Sequence, residues 1–88
     1  MGQVMIVFRL MPTTAEVDMA AVAKKVPAVI PTGAQLRGTT LVPVAFGLKA
    51  LHVTVIVADE EGWTDRLEET LRSVPDVESV EVQELSLV

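Results

Sequence analysis

Cysteine, asparagine and tyrosine are absent from the 88 residues, and histidine occurs once. Without cysteine there is no disulfide, no thiolate metal site and no thiol nucleophile. A single histidine excludes a multi-histidine metal centre. The lack of asparagine removes any acceptor for N-glycosylation. The longest uninterrupted apolar run, Leu41 to Leu48, is eight residues and contains Pro43 and Gly47. A membrane helix needs about 20. The N-terminus has no basic segment ahead of its apolar residues, so it does not read as a secretory signal. Ile6 stands where a myristoylation pattern requires Ser or Thr. A soluble cytoplasmic protein without membrane contact is expected.

Positive charge is also scarce, with 7 Lys+Arg against 12 Asp+Glu and a net charge of −5. The basic residues Arg9, Lys24, Lys25, Arg37, Lys49, Arg66 and Arg72 are scattered along the chain. Nucleic-acid binding needs clustered Lys and Arg to replace phosphate counterions, so no direct nucleic-acid contact is expected. The five glycines, at positions 2, 33, 38, 47 and 62, are isolated and form no phosphate-binding loop.

Valine is abundant, sixteen in all, within a composition that is 50 % hydrophobic. Val4, Ile6, Phe8 and Leu10 alternate with Met5, Val7 and Arg9 and predict a strand over Val4–Met11 with one fully apolar face. Met19, Val22, Val26, Val29 and Ile30 recur at helical spacing. That helix is expected to be capped by Thr13 or Thr14, to carry Glu16 and Asp18 in its first turn, and to kink or break at Pro27. Gln35–Phe46 reads as a second strand, interrupted by Gly38 and Pro43 and therefore bulged or at a sheet edge. Lys49–Ala58 is a third strand, in which Leu51, Val53, Val55 and Val57 alternate with Ala50, His52, Thr54 and Ile56. After the turn Asp59-Glu60-Glu61-Gly62, the residues Trp63, Leu67, Thr70/Leu71 and Val74 form a second helical stripe. Val77–Val88 is the fourth strand, with Val80 and Val82 alternating with Glu81 and Gln83. The order β-α-β-β-α-β predicts an α+β, ferredoxin-like sandwich: a four-stranded antiparallel sheet with two helices on one face.

Catalytic residues are hard to find in this pattern. His52 faces away from the valines of its own strand and has no partner nucleophile, so an ordinary sheet-face histidine is the simpler reading. Asp59-Glu60-Glu61 and Glu68-Glu69 read as solvated charge. An RNA-recognition module with this strand order stacks bases on aromatics of its two central strands. Here the third strand has no aromatic, and Phe8 falls on the core-facing side of the first. Phe46 is the informative aromatic. It precedes Gly47 at an expected hairpin end, where it either folds back as a lid on the core or protrudes as a contact anchor.

The stretch Ala45-Phe46-Gly47-Leu48-Lys49-Ala50-Leu51 resembles the signature of the archaeal elongation factor 1-beta family, and the C-terminal exchange domain of its eukaryotic relatives. The opening Met1-Gly2-Gln3-Val4 with the later Met11-Pro12 is similar to those proteins, as are Ile30-Pro31-Thr32-Gly33 and Asp59-Glu60-Glu61-Gly62. The resemblance covers essentially the whole chain. It implies a single guanine nucleotide exchange domain over residues 1–88, which promotes replacement of GDP by GTP on the GTPase elongation factor 1-alpha and so restores the form that delivers aminoacyl-tRNA. It implies binding to the GDP-bound or nucleotide-free GTPase, with no metal, no cofactor and no bond chemistry. It further implies that Phe46, with Gly47 and Lys49, contacts the GTPase. Leu87 stands where the eukaryotic relatives insert a lysine toward the Mg²⁺ site, and Val88 follows it. Leu87 and Val88 are therefore carried as contact residues without that lysine's charge, and Lys49 is a candidate to supply it. A monomer is expected. The competing expectation is a small-molecule-sensing or oligomerisation module, a homodimer joined through Met5, Val7, His52, Thr54 and Ile56.

Overall fold

The computed structural model describes residues 2–88; Met1, the first residue of the opening Met1-Gly2-Gln3-Val4, lies outside them. The chain runs β1 (Gln3–Pro12), α1 (Met19–Val29), β2 (Gln35–Pro43), β3 (Lys49–Ala58), α2 (Trp63–Arg72) and β4 (Val77–Leu87). The four strands form one sheet in the order β2-β3-β1-β4, every neighbouring pair antiparallel. This is the ferredoxin-like α+β architecture expected from the alternation of patterns.

Period-two patterning sets which sheet face is covered. Val4, Ile6, Phe8 and Leu10 of β1 pair with Val57, Val55, Val53 and Leu51 of β3, and all eight are buried. Met19, Val22 and Val26 of α1 and Leu67 and Leu71 of α2 close over them. The opposite face is open. It carries Met5, Val7 and Arg9 of β1 in register with Ile56, Thr54 and His52 of β3. His52 is half-buried there, away from the valines.

Four local expectations need correction. The helix cap is Asp18 rather than Thr13 or Thr14: its carboxylate accepts the Ala20 N–H at 3.0 Å, and α1 starts at Met19. Thr14 Oγ1 instead accepts the Glu16 N–H at 3.3 Å and closes a turn of its own, a local hydrogen bond that competes with helix entry. Pro27 does not break α1, which continues to Val29. Only Ala28 and Val29 follow the proline, which leaves the carbonyl of Ala23 without its usual helical donor. The second strand ends at Pro43, three residues before Phe46, because pairing stops at the Pro43–Lys49 rung and the chain turns out of the sheet. The alternation in β4 does not run through: the register slips between Val7 and Phe8 of β1, where Val82 and Glu84 flank an extra residue, Gln83. The bulge expected from Gly38 is present, between Leu36 and Gly38 on the edge strand β2.

Candidate partner-binding site

The link between β2 and β3 places the expected contact residues. Val44 N–H donates to Leu48 O at 2.8 Å and Leu48 N–H donates to Ala45 O at 3.3 Å, closing a tight hairpin end. Phe46 (φ 62, ψ 31) and Gly47 (φ 75) hold its two central positions, both left-handed, as a type I′ turn requires. The twist of such a turn matches that of the flanking strands, so the backbone geometry follows from hairpin closure. The choice of residue does not. Asn or Asp is the usual first residue of this turn, and a bulky side chain at positive φ costs about 1–3 kcal/mol. Asp76 is the other non-glycine residue with positive φ among those described, and it is of a type that tolerates it.

The Phe46 ring gains no packing in return. It is 95 % exposed, whereas Phe8 is fully buried in the core. The lid alternative is thereby corrected: Phe46 protrudes. Gly47 beside it has no heavy atom near the position a Cβ would take, so its need for glycine is purely the backbone angle. Lys49, exposed, starts β3 opposite Pro43. Behind the turn, a shallow cleft of about 190 Å³ opens between the start of α1 and the hairpin base, lined by Val17, Met19, Ala20, Leu41, Gly47 and Lys49. Leu41, 41 % exposed, was not singled out from sequence. Its signal was an apolar residue on an edge strand beyond the reach of the helices.

Leu87 and Val88 are exposed too, but elsewhere. Leu87 pairs with Val4, and the Val88 N–H donates to Gln3 O at 3.0 Å, at the end of the sheet where β3 finishes. The hairpin tip lies at the end where β3 begins. A strand of ten residues separates them, about 30 Å at roughly 3.3 Å per residue, in a molecule whose longest extent is 42 Å. Phe46, Gly47 and Lys49 thus come together, Leu87 and Val88 come together, and the two groups stand at opposite ends.

The acidic turn has a structural explanation. Trp63 Nε1 donates to Glu60 Oε1 at 3.3 Å, and the Arg66 guanidinium lies 5.1 Å from the indole centroid. The same ring seats on Gly33 (φ 100), where a Cβ would come within 3.0 Å of it. No group of three His, Asp or Glu residues capable of holding a metal occurs among the described residues. None of the helices described is long and apolar enough to cross a membrane.

The fold thus exposes an aromatic at positive φ at one end of the sheet and the aliphatic side chains of Leu87 and Val88 at the other. Comparison with known proteins gives the family. Residues 5–88 match the family described as the EF-1 guanine nucleotide exchange domain. The chain belongs to this family, and its role is that of a guanine nucleotide exchange factor of translation elongation. It is similar to elongation factor 1-beta of Methanosarcina acetivorans, 48 % identical over 96 % of both chains. To that of Methanococcoides burtonii it is 45 % identical over 97 % of this chain and 96 % of the relative. To that of Archaeoglobus fulgidus it is 36 % identical over the full length of both. Among solved structures, the C-terminal domain of the MgtC protein from Mycobacterium tuberculosis has the same fold. Its TM-score is 0.62 at 18 % identity, over 99 % of this chain and 88 % of that one.

Proposed function

We propose that the chain, as a monomer, binds the GTPase elongation factor 1-alpha in its GDP-bound or nucleotide-free form and accelerates GDP release, so that GTP reloads it for aminoacyl-tRNA delivery. The observation that carries the site is Phe46: a 95 % exposed aromatic held at φ 62 on a hairpin tip. Aromatic anchors dominate interface energetics when a partner pocket covers them. Gly47 permits the turn, and Lys49 supplies a cation at the rim.

The physics of exchange is linkage. A partner that weakens nucleotide binding by some factor is itself bound more weakly, by the same factor, when nucleotide is present. The nucleotide's Mg²⁺ and phosphates hold the switch segments of a GTPase in order, so a partner that displaces those segments loosens the nucleotide without bond chemistry. With contact groups about 30 Å apart, the partner is gripped at two places. The tip anchors, and Leu87 and Val88 press on the second place. The Leu87 and Val88 side chains have no charge to set against Mg²⁺, so they act by displacing switch segments. Lys49 cannot take the place of the eukaryotic lysine in that pose, since it stands at the anchoring end.

Titration calorimetry of the chain into the GTPase, with and without GDP, tests this reading. Tighter binding to the nucleotide-free form, weakened at least tenfold by Phe46→Ala, is the expected result. Equal affinity for the two forms would overturn the exchange mechanism, and an unaffected Phe46→Ala variant would overturn the anchor.

A further inference from the structure

The sheet ends on one side at β4, whose outer edge is unpaired among the described residues. The first half of β4 is covered: Val77 and Val80 are buried beside Leu71 of α2. The second half is not. Val82, Leu85 and Leu87 pair with Phe8, Ile6 and Val4, so they lie on the helix-bearing face, yet they are 38, 56 and 75 % exposed. The placement of α2 accounts for this. The helix packs on β4 and β1, with Leu71 in the core beside Val77 and Val80, while the Trp63 ring at its other end turns to Gly33 ahead of β2. An apolar shelf is left at the end of β4. On the opposite face, Glu81 and Glu84 stand in register with Arg9 and Val7.

A long edge strand with unpaired backbone and exposed aliphatics is a template for another strand. The opposite edge, β2, is blunted by Pro43. β4 has a bulge at Gln83, as β2 has one near Gly38, but contains no proline, and its only charges are Glu78, Glu81 and Glu84. Those charges decide the occupant. Two copies of β4 laid side by side would bring glutamates against glutamates, with Arg9, one strand inward opposite Glu81, as the one basic residue in register with them, so a second copy is disfavoured. A strand with alternating basic and aliphatic residues satisfies both faces at once. Its aliphatic side chains extend the shelf of Val82, Leu85 and Leu87, and its Lys or Arg side chains lie across from Glu81 and Glu84.

We propose that the outer edge of β4 is a docking site for an extended, basic–aliphatic segment of a protein partner, which adds to the sheet as a fifth strand. The site is separate from the Phe46 hairpin, and of the contacts proposed above for the GTPase it shares Leu87. The test uses the full chain and a capped eight-residue peptide of alternating Lys and Val, with an alternating Glu–Val peptide as control, followed by amide hydrogen exchange and NMR shifts. The Lys–Val peptide is expected to slow exchange and move resonances across residues 81–87. Glu81→Lys/Glu84→Lys is expected to weaken it by about tenfold and to favour the Glu–Val peptide instead. Phe46→Ala should bind the Lys–Val peptide as the unaltered chain does. No protection at β4, equal binding of the two peptides, or binding lost with Phe46→Ala would each overturn the proposal. Because Glu81 and Glu84 are exposed, the double variant should fold, and its circular dichroism verifies this.

Discussion

The two phenylalanines occupy opposite environments, and substituting each in turn separates folding from binding. Phe8 is fully buried at the centre of β1. Phe8→Ala should lower stability by about 3–5 kcal/mol, read as a shift in the denaturant midpoint. Phe46→Ala removes a ring that touches almost nothing within the chain, and should change stability by no more than about 0.5 kcal/mol. Phe46→Gly should go further and stabilise the chain by about 1 kcal/mol, because glycine removes the strain at φ 62, while partner binding still falls. A stabilising substitution that abolishes binding would identify Phe46 as a residue held at a cost to the fold. Loss of stability in Phe46→Gly would mean instead that the ring supports the hairpin.

At the scale of elements, the helix caps and the turn chemistry separate what the sequence could reveal from what it could not. The third strand was legible to the residue, since Leu51, Val53, Val55 and Val57 alternate with Ala50, His52, Thr54 and Ile56 and the run Val53–Val57 is β-branched throughout. The start of α1 was not. Thr13, Thr14, Glu16 and Asp18 all offer capping or first-turn chemistry, and only the competition between local hydrogen bonds selects Asp18. Asp18→Ala should therefore cost about 1 kcal/mol in thermal unfolding, and Thr14→Ala distinctly less. Equal costs would return the cap to Thr14. The hairpin end at Phe46-Gly47 was legible, but the end of the second strand was not, for a related reason: Val44-Ala45-Phe46 has strand-like composition, and the stop at Pro43 comes from a pairing rung that has no local signature. The exposed row on β4 was likewise hidden. Val82 looks like core by alternation, yet it is 38 % exposed just ahead of the bulge at Gln83.

For the whole molecule, the sheet acts as a spacer. Its antiparallel order carries the β2–β3 hairpin to one end and the end of β4 to the other, and the continuous core between them transmits no obvious hinge. Contacts at the two ends should contribute independently. The losses in binding free energy from Phe46→Ala and Leu87→Asp should add to within about 0.5 kcal/mol in the double variant, as for sites without shared partners. Strong non-additivity would mean that the two ends do not meet separate surfaces of one partner. Residue types and spacings made the exchange role legible through the family resemblance, but the separation of the contact groups emerged only from strand order and register. The most direct test of the central claim is stopped-flow release of fluorescent GDP from elongation factor 1-alpha, with increasing amounts of this chain. The account predicts acceleration that saturates with concentration and needs far more of Phe46→Ala to reach the same rate. A release rate unchanged by a large excess of the unaltered chain would contradict it.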